Sequence, residues 1–181
     1  MSGVPLKKDD SFVIFGRREI GDLLHDNETG DSVIVDFFHH YPGRETCQSY
    51  FILADDDGNR AEACIFRYDS LISGDEVIRF IVQTGKLLWL LSSSHNTSKC
   101  LFLSKIKKFD YFLPALAPNT LECLLRRIAT VDRKHEFVAN VMGSHSGQDT
   151  LLAHLEFSMS SVSREAAKKM LVTHRGFVKG G

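Results

Sequence analysis

The sequence of 181 residues lacks the features that would place it in a specialised class. Its four cysteines, Cys47, Cys64, Cys100 and Cys123, are scattered singly and form no CxxC pair. This removes the usual support for a zinc ribbon or a redox dithiol. With 43% apolar and 25% charged residues, the composition is that of a globular protein. A chain of this length can form a single core without a metal or a disulfide.

Neither sign of charge dominates, and long apolar runs are missing. The chain has 22 Lys and Arg against 23 Asp and Glu, a net charge of -1, which argues against a nucleic-acid wrap or a polybasic membrane anchor. The most apolar stretch, residues 77–91, is interrupted by Arg79, Gln83 and Lys86, so no membrane span is predicted. The polar residues 1–10 do not resemble a signal peptide. We therefore expect a soluble protein in a reducing, cytoplasmic setting.

The eight histidines show no metal-ligand spacing. His39 and His40 are adjacent in a predicted strand, so their rings point to opposite faces of the sheet. A Gly-rich phosphate loop is absent, and residues 143–147 resemble a nucleophile elbow only with His145 in the serine position. We predict no metal and no covalently bound cofactor.

The middle of the chain carries a helical pattern. Ser73 precedes Glu76 by three positions, the spacing of a capping box, and the adjacent Asp75 and Glu76 suit the positive end of a helix dipole. From Val77 to Trp89 apolar residues recur at helical spacing, which predicts a helix of about 20 residues. Its second half is apolar on nearly every side, as in a helix enclosed by other structure.

Strand patterns lie on both sides of this helix. A short predicted helix at residues 18–24 precedes two β-rich runs, at 33–38 and 49–53, separated by the turn dipeptide Pro42-Gly43. A returning strand is predicted at residues 61–66.

After the helix, three long strands of alternating pattern are joined by turns at residues 132–134 and 144–147. Their predicted inward positions are Leu121, Cys123, Leu125, Ala129, Phe137, Ala139, Val141, Leu151, Ala153, Leu155 and Phe157. An antiparallel sheet curled around the single long helix buries both elements, which predicts an α+β fold.

This arrangement resembles the hot-dog fold, and most closely the bacterial 3-hydroxyacyl-acyl-carrier-protein dehydratases. Val35-Asp36 with Pro42-Gly43 is similar to the family's first strand and its turn. Ser73-Gly74, with Gln83 and Gly85 further on, resembles the opening of the central helix, and the lysine-rich strand from Leu103 to Pro118 resembles the segment before the meander. The resemblance assigns residues 33–160 to a hot-dog domain, residues 1–32 to an N-terminal segment, and residues 161–181 to a C-terminal helix and tail.

Two further families are similar. Glu156-Phe157-Ser158 followed by Ser163 and a basic helix resembles the ending of the hot-dog domain of γ-butyrolactone synthases, and acyl thioesterases share the order of elements. These resemblances imply a substrate carried as a thioester on the phosphopantetheine of acyl carrier protein or coenzyme A, in fatty-acid or polyketide metabolism. They also imply a homodimer, or a heterodimer with another hot-dog subunit.

The catalytic pair of the dehydratases has no counterpart here. That family uses a His before the helix and a Glu or Asp in its first turns. Aligned through Gln83, the acid position falls on Arg79, and the loop position falls near Ile65-Phe66, without a His. The string from His40 to Gly43 mimics the motif but lies more than 30 residues before the helix. Thioester hydrolysis, a butyrolactone-like condensation and a non-catalytic subunit of a heteromeric dehydratase all stay open.

The start of the predicted helix supplies the candidate catalytic residues Asp69, Asp75 and Glu76. Helix N-terminal amides can polarise a thioester oxygen while a carboxylate activates water. Helix capping is the alternative explanation of Asp75 and Glu76. The candidate substrate-binding residues are Tyr68, Arg79, Gln83, Lys105 and Lys107. Lys105 and Lys107 belong to a basic cluster suited to an acidic carrier protein or to coenzyme A phosphates, unless it is only a solvated face.

Overall fold

The computed structural model describes residues 11–25, 33–53, 72–92, 98–114 and 118–169. The predicted returning strand at residues 61–66 lies outside them. The helices are α1 (Arg17–His25) and α2 (Gly74–Ser92), and residues 164–169 are also helical. The strands are β1 (Val13–Gly16), β2 (Phe37–His40), β3 (Thr46–Ile52), β4 (Lys99–Tyr111), β5 (Thr120–Val131), β6 (Lys134–His145) and β7 (Gln148–Ser163).

The seven strands form one antiparallel sheet in the order β1-β2-β3-β5-β6-β7-β4. The predicted meander is therefore confirmed as β5-β6-β7, and β4 returns to pair with β7 at one end of the sheet. The β6-β7 turn has positive φ at Ser146 (50°) and Gly147 (78°), the pattern of a type I′ hairpin turn. The backbone twist of such a turn matches the right-handed twist of β6 and β7, which it connects.

Helix α2 packs on the inner face of the sheet, and its 19 residues confirm the predicted central helix. Phe80, Leu87 and Leu88 are fully buried. Gly85 allows α2 to approach β7 closely, since a Cβ at this position would lie 3.3 Å from the sulfur of Met159. The described helices include none long and apolar enough to cross a membrane.

The predicted helix at residues 18–24 is present as α1. Its Ile20 and Leu24 are buried in the same core as α2, and β1 pairs with β2. Residues 13–25 therefore share the sheet and core of the domain that follows. The exact boundaries of the three-part division stay a prediction.

Two predicted details of the strands are wrong. In the first hairpin, Phe37–His40 pairs with Thr46–Ile52. The first strand therefore begins later than the predicted run at residues 33–38, and the second begins earlier than the run at residues 49–53. Leu151, predicted to face inward, is 40% exposed, whereas Leu152 is buried. A register shift opposite Val141 and Met142 changes the alternation at this point, because an extra residue in one strand reverses the faces beyond it.

Candidate functional site

The first turn of α2 brings together two of the predicted catalytic carboxylates. The amide nitrogen of Glu76 lies 3.4 Å from Ser73 Oγ and 3.1 Å from the Ser73 carbonyl, so Ser73 caps the helix. Asp75 is exposed and Glu76 is half-buried, and the helix dipole favours negative charge at both positions. Within the described ranges, neither carboxylate forms a salt bridge.

Two aromatic side chains of β4 pack beside this turn. The rings of Phe109 and Tyr111 stack with centroids 6.0 Å apart, and a Cβ added to Gly74 would lie 3.4 Å from the Phe109 ring. The Tyr111 hydroxyl donates a hydrogen bond to the Ile72 carbonyl. Burial and the nearby charge of Glu76 raise the pKa of Tyr111. Glu76 therefore lies close to a neutral tyrosine at the N-terminus of α2.

Phe109 and Tyr111 are not among the residues predicted from the sequence. Their spacing of two along a strand places both on one face, which is a detectable signal. Selecting these two residues also requires knowing which strand lies beside the N-terminus of α2. That depends on the pairing of β4 with β7, a contact between distant parts of the chain.

Arg79 and Gln83 follow on the same helix. Arg79 is half-buried, about one turn beyond Asp75. Gln83 is only 3% exposed, and its side-chain oxygen accepts a hydrogen bond of 3.0 Å from the Ile34 amide. This bond joins the middle of α2 to the segment before β2 and gives Gln83 a structural role. Its contact with substrate stays a prediction.

The predicted lysine cluster lies on β4 and is partly neutralised. Lys107 Nζ lies 2.8 Å from Glu136 Oε1, and Lys108 Nζ lies 2.9 Å from Asp110 Oδ2. The hydrogen bond from Lys107 lowers the pKa of Glu136. Lys105 is exposed and belongs to neither pair. It is therefore the lysine of this cluster best able to meet a separate anion.

His40 lies towards the other end of α2. His40 pairs with Cys47 of β3, two residues after Glu45. Arg127 binds both Glu45 and Ser92, the last residue of α2, so this part of β3 lies near the C-terminal end of the helix. The two ends of a helix of this length are about 27 Å apart. The structure therefore does not bring His40 to the carboxylates at the helix start. The residue is 8% exposed, and its burial lowers the pKa of the imidazole.

A buried polar group at the middle of α2 is structural rather than nucleophilic. Ser49 Oγ and Thr84 Oγ1 are 2.5 Å apart, and Thr84 also donates to the Phe80 carbonyl. Burial raises the pKa of the neighbouring Cys123 to about 12. The thiol is therefore protonated near neutral pH, and a protonated thiol is a poor nucleophile.

Tyr68 and Asp69 lie outside the described residues, so their placement relative to α2 stays a prediction. Within the part of the chain that the structure describes, no three side chains of His, Cys, Asp or Glu gather around a common metal position. The chemistry assembled at the helix start is thus two carboxylates, a capped N-terminus and a neutral tyrosine.

Comparison with family models and with curated proteins finds no match to this sequence. Solved structures do match. The dehydratase domain from a module of the curacin polyketide synthase has 14% identity and a TM-score of 0.61, with 83% of this chain and 50% of that chain covered. A thioesterase from Haemophilus influenzae has 8% identity and a TM-score of 0.57, with 82% and 92% covered. A thioesterase family protein from Silicibacter pomeroyi has 10% identity and a TM-score of 0.54, with 80% and 96% covered.

These likenesses define the class of fold. The sheet wrapped around α2 is the hot-dog fold, as the element order predicted. The chain spans about half of the polyketide dehydratase chain and most of each thioesterase chain. At such low identities the match concerns the fold, and the activity has to be argued from the site.

Proposed function

We propose that this protein processes acyl groups carried as thioesters of acyl carrier protein or coenzyme A, and that its reaction is hydrolysis. The observation that carries this proposal is the pair of carboxylates, Asp75 and Glu76, in the first turn of α2 beside Tyr111. The thioesterases among the structural neighbours support it, since they share the arrangement of sheet and helix.

Hydrolysis of a thioester requires a base for water and a donor for the carbonyl oxygen. Within the described residues the amides of Gly74 and Asp75 have no hydrogen-bond partner, unlike that of Glu76, and they supply the donors. The helix dipole favours the developing negative charge. Glu76 takes the proton of the attacking water, because it is the less exposed carboxylate and lies near Tyr111. The carbon–sulfur bond then breaks, and the thiolate leaves and is protonated by solvent.

The remaining predicted residues are assigned to the carrier. Arg79 and Lys105 bear positive charges suited to the phosphates of coenzyme A or to an acidic carrier protein. Lys107 is already engaged by Glu136 and contributes less. Asp69 and Tyr68 stay candidates for the same site, because they precede the helix in the sequence.

The proposed assembly is a pair of hot-dog subunits joined at β4. This strand ends the sheet, and its Leu103 and Ile106 are 38% and 40% exposed. The unpaired backbone of an edge strand and its exposed apolar side chains are suited to pairing with a second strand, although β4 also carries Lys105, Lys107 and Lys108. Coverage of half of the polyketide dehydratase chain is consistent with two subunits of this size.

A second candidate function is that of a dehydratase-like subunit that binds acyl chains without turnover. The specific observation in its favour is the position of His40, towards the other end of α2 from Asp75 and Glu76. The His and carboxylate pair of a dehydratase is therefore not assembled from these residues. Its catalytic residues would belong to a partner subunit.

The deciding experiment follows thioesters of acyl carrier protein and of coenzyme A by intact mass and by free-thiol release. Saturated, 3-hydroxyacyl and 3-oxoacyl chains are compared. We expect free acid and thiol, with Glu76→Gln lowering kcat by about 100-fold or more. Asp22→Asn, an exposed carboxylate on α1, is the matched control and keeps full activity.

The other outcomes are distinct. Loss of water from 3-hydroxyacyl substrates would contradict hydrolysis and establish a dehydratase, and a condensed product would establish the butyrolactone-like reaction. Saturable binding without turnover would support the non-catalytic subunit. If Glu76→Gln hydrolyses thioesters at the wild-type rate, Glu76 is not the general base. Asp75 or Asp69 would then be the candidate, which Asp75→Asn and Asp69→Asn test.

A further inference from the structure

A groove on the outer face of the sheet lies on the opposite side from α2. Its volume is about 350 Å³, and it forms where β3, β5 and β6 run side by side. Arg44, Arg126, Gln48 and Asn140 supply polar groups around it. The residues that line it, all within the described part of the chain, include no Asp or Glu. The two charged side chains that line the groove, Arg44 and Arg126, are thus both cationic.

Hydrogen bonds within the groove determine which polar atoms remain for a ligand. The Tyr41 hydroxyl donates to Gln48 Oε1 at 2.7 Å. Asn140 Oδ1 lies 2.8 Å from Nδ1 of His154. Because both amide oxygens already have partners, their amide nitrogens are the groups left to contact a ligand, and these are donors.

Arg126 adds the strongest donor of the groove. Its side chain is exposed, and it has no salt bridge within the described ranges. A guanidinium presents several N–H groups in a fixed plane that matches a carboxylate or a phosphate. An acceptor-rich anion satisfies this set of donors, whereas a cation or a neutral donor does not.

The floor of the groove is apolar. Leu124 is 40% exposed and Val138 is half-buried, and both line the groove between the polar groups. An inorganic ion would leave these side chains in water. A ligand with an apolar body beside its charged head covers them and gains from their burial.

We propose that this groove is a binding site for a small amphipathic anion, with a carboxylate or phosphate head on an apolar body. The head contacts Arg126 and the two side-chain amides, and the body lies on Leu124 and Val138. The sheet separates this site from the start of α2. The proposal is therefore independent of the thioester reaction, and both sites can be occupied together.

The test is titration of the full chain, followed by NMR of the backbone amides. Three probes separate the sources of the anion: decanoate has a carboxylate on an alkyl chain, 1-naphthyl phosphate has a phosphate on an aromatic body, and inorganic phosphate has a head only. We expect saturable binding of at least one amphipathic probe, with shifts centred on residues 46–48, 124–126 and 138–140. Inorganic phosphate is expected to bind at least tenfold more weakly.

Variants locate the site. Arg126→Gln is expected to weaken binding at least tenfold, and Leu124→Ser to weaken the amphipathic probes but not inorganic phosphate. The matched control, Arg18→Gln, removes an exposed arginine of α1 and leaves the affinity unchanged. Thioester turnover by Arg126→Gln stays at the wild-type level.

Three results would overturn the proposal. The first is the absence of saturable binding by either amphipathic probe up to millimolar concentration. The second is wild-type affinity in Arg126→Gln, and the third is a set of shifts confined to α2. The third result would place decanoate in the acyl site, and it would leave the proposed hydrolysis untouched.

Discussion

At its C-terminal end α2 is held by charged hydrogen bonds, whereas the two carboxylates of its first turn form no salt bridge with any described residue. The guanidinium of Arg127 contacts both carboxylate oxygens of Glu45 and donates to Ser92 Oγ at 3.1 Å. The hydrogen bond from Arg127 lowers the pKa of Glu45. At the other end, Asp75 and Glu76 are joined by no salt bridge in the described chain.

The contrast between the two ends indicates where chemistry is possible on the helix. Charges that are already paired are costly to separate, so the C-terminal end is suited to fixing the helix on the sheet. Carboxylates without partners can accept a proton from water, so the N-terminal end is suited to catalysis. We call the C-terminal end, with its paired charges, the closed end of α2, and the N-terminal end, with Asp75 and Glu76, the open end.

The largest effect on stability is expected from Arg127→Met. Its side chain is 12% exposed, and the variant loses the bonds to Glu45 and Ser92. We expect a loss of about 2 to 3 kcal/mol in the free energy of unfolding, measured by urea denaturation. Arg126→Met is the matched control on the same strand, where the side chain is exposed, and it should change stability by about 0.5 kcal/mol or less. Equal losses in both variants would contradict the anchoring role.

Tyr111→Phe alters the open end instead. The variant removes the hydroxyl that donates to the Ile72 carbonyl and keeps the ring stacked on Phe109. We expect a loss of about 1 kcal/mol, because one buried acceptor loses its partner. Hydrogen exchange should increase at residues 74–77 and not at residues 89–92. Faster exchange along the whole helix would show that the two ends are not independent.

Ser73→Ala has a smaller expected effect at the same end. The Oγ of Ser73 lies 3.4 Å from the Glu76 amide, which is long for a strong bond, so the loss should be about 0.5 to 1 kcal/mol. Ser73→Asp restores the cap and should recover most of that loss. The measurement is thermal unfolding of the three proteins at one pH. If Ser73→Ala has the wild-type Tm, the Ser73 hydroxyl does not stabilise the helix as a cap.

The smallest effect is a pH dependence of the closed end. His135 packs its ring against Trp89, and burial, assisted by the charge of Arg127, lowers the pKa of the imidazole. The unfolded chain therefore binds more protons than the folded chain below about pH 6.5, and stability falls as the pH decreases through that region. We expect His135→Gln to flatten this dependence, and the burial of His40 leaves a residual slope of the same sign. A pH slope unchanged in His135→Gln would assign the effect to His40.

Much of the fold could be predicted from the sequence because its signals are local. The cap at Ser73 and the helical spacing from Val77 to Trp89 predict α2, and alternation along β5 and β6 predicts the meander. Leu151 was placed wrongly, since alternation cannot reveal the register shift opposite Met142. The candidate site was predicted in part: Asp75 and Glu76 share the helix start, and the sequence could not show that Tyr111 joins them.

The central helix, the alternating strands and the acidic helix start follow from the amino-acid sequence alone, because each depends on residues a few positions apart. The pairing of β4 with β7, the resulting approach of Tyr111 to Glu76, and the position of His40 towards the far end of α2 are visible only in the folded chain. These arrangements join residues tens of positions apart. They depend on how the whole sheet closes around the helix, and hydrophobic pattern alone does not encode that closure.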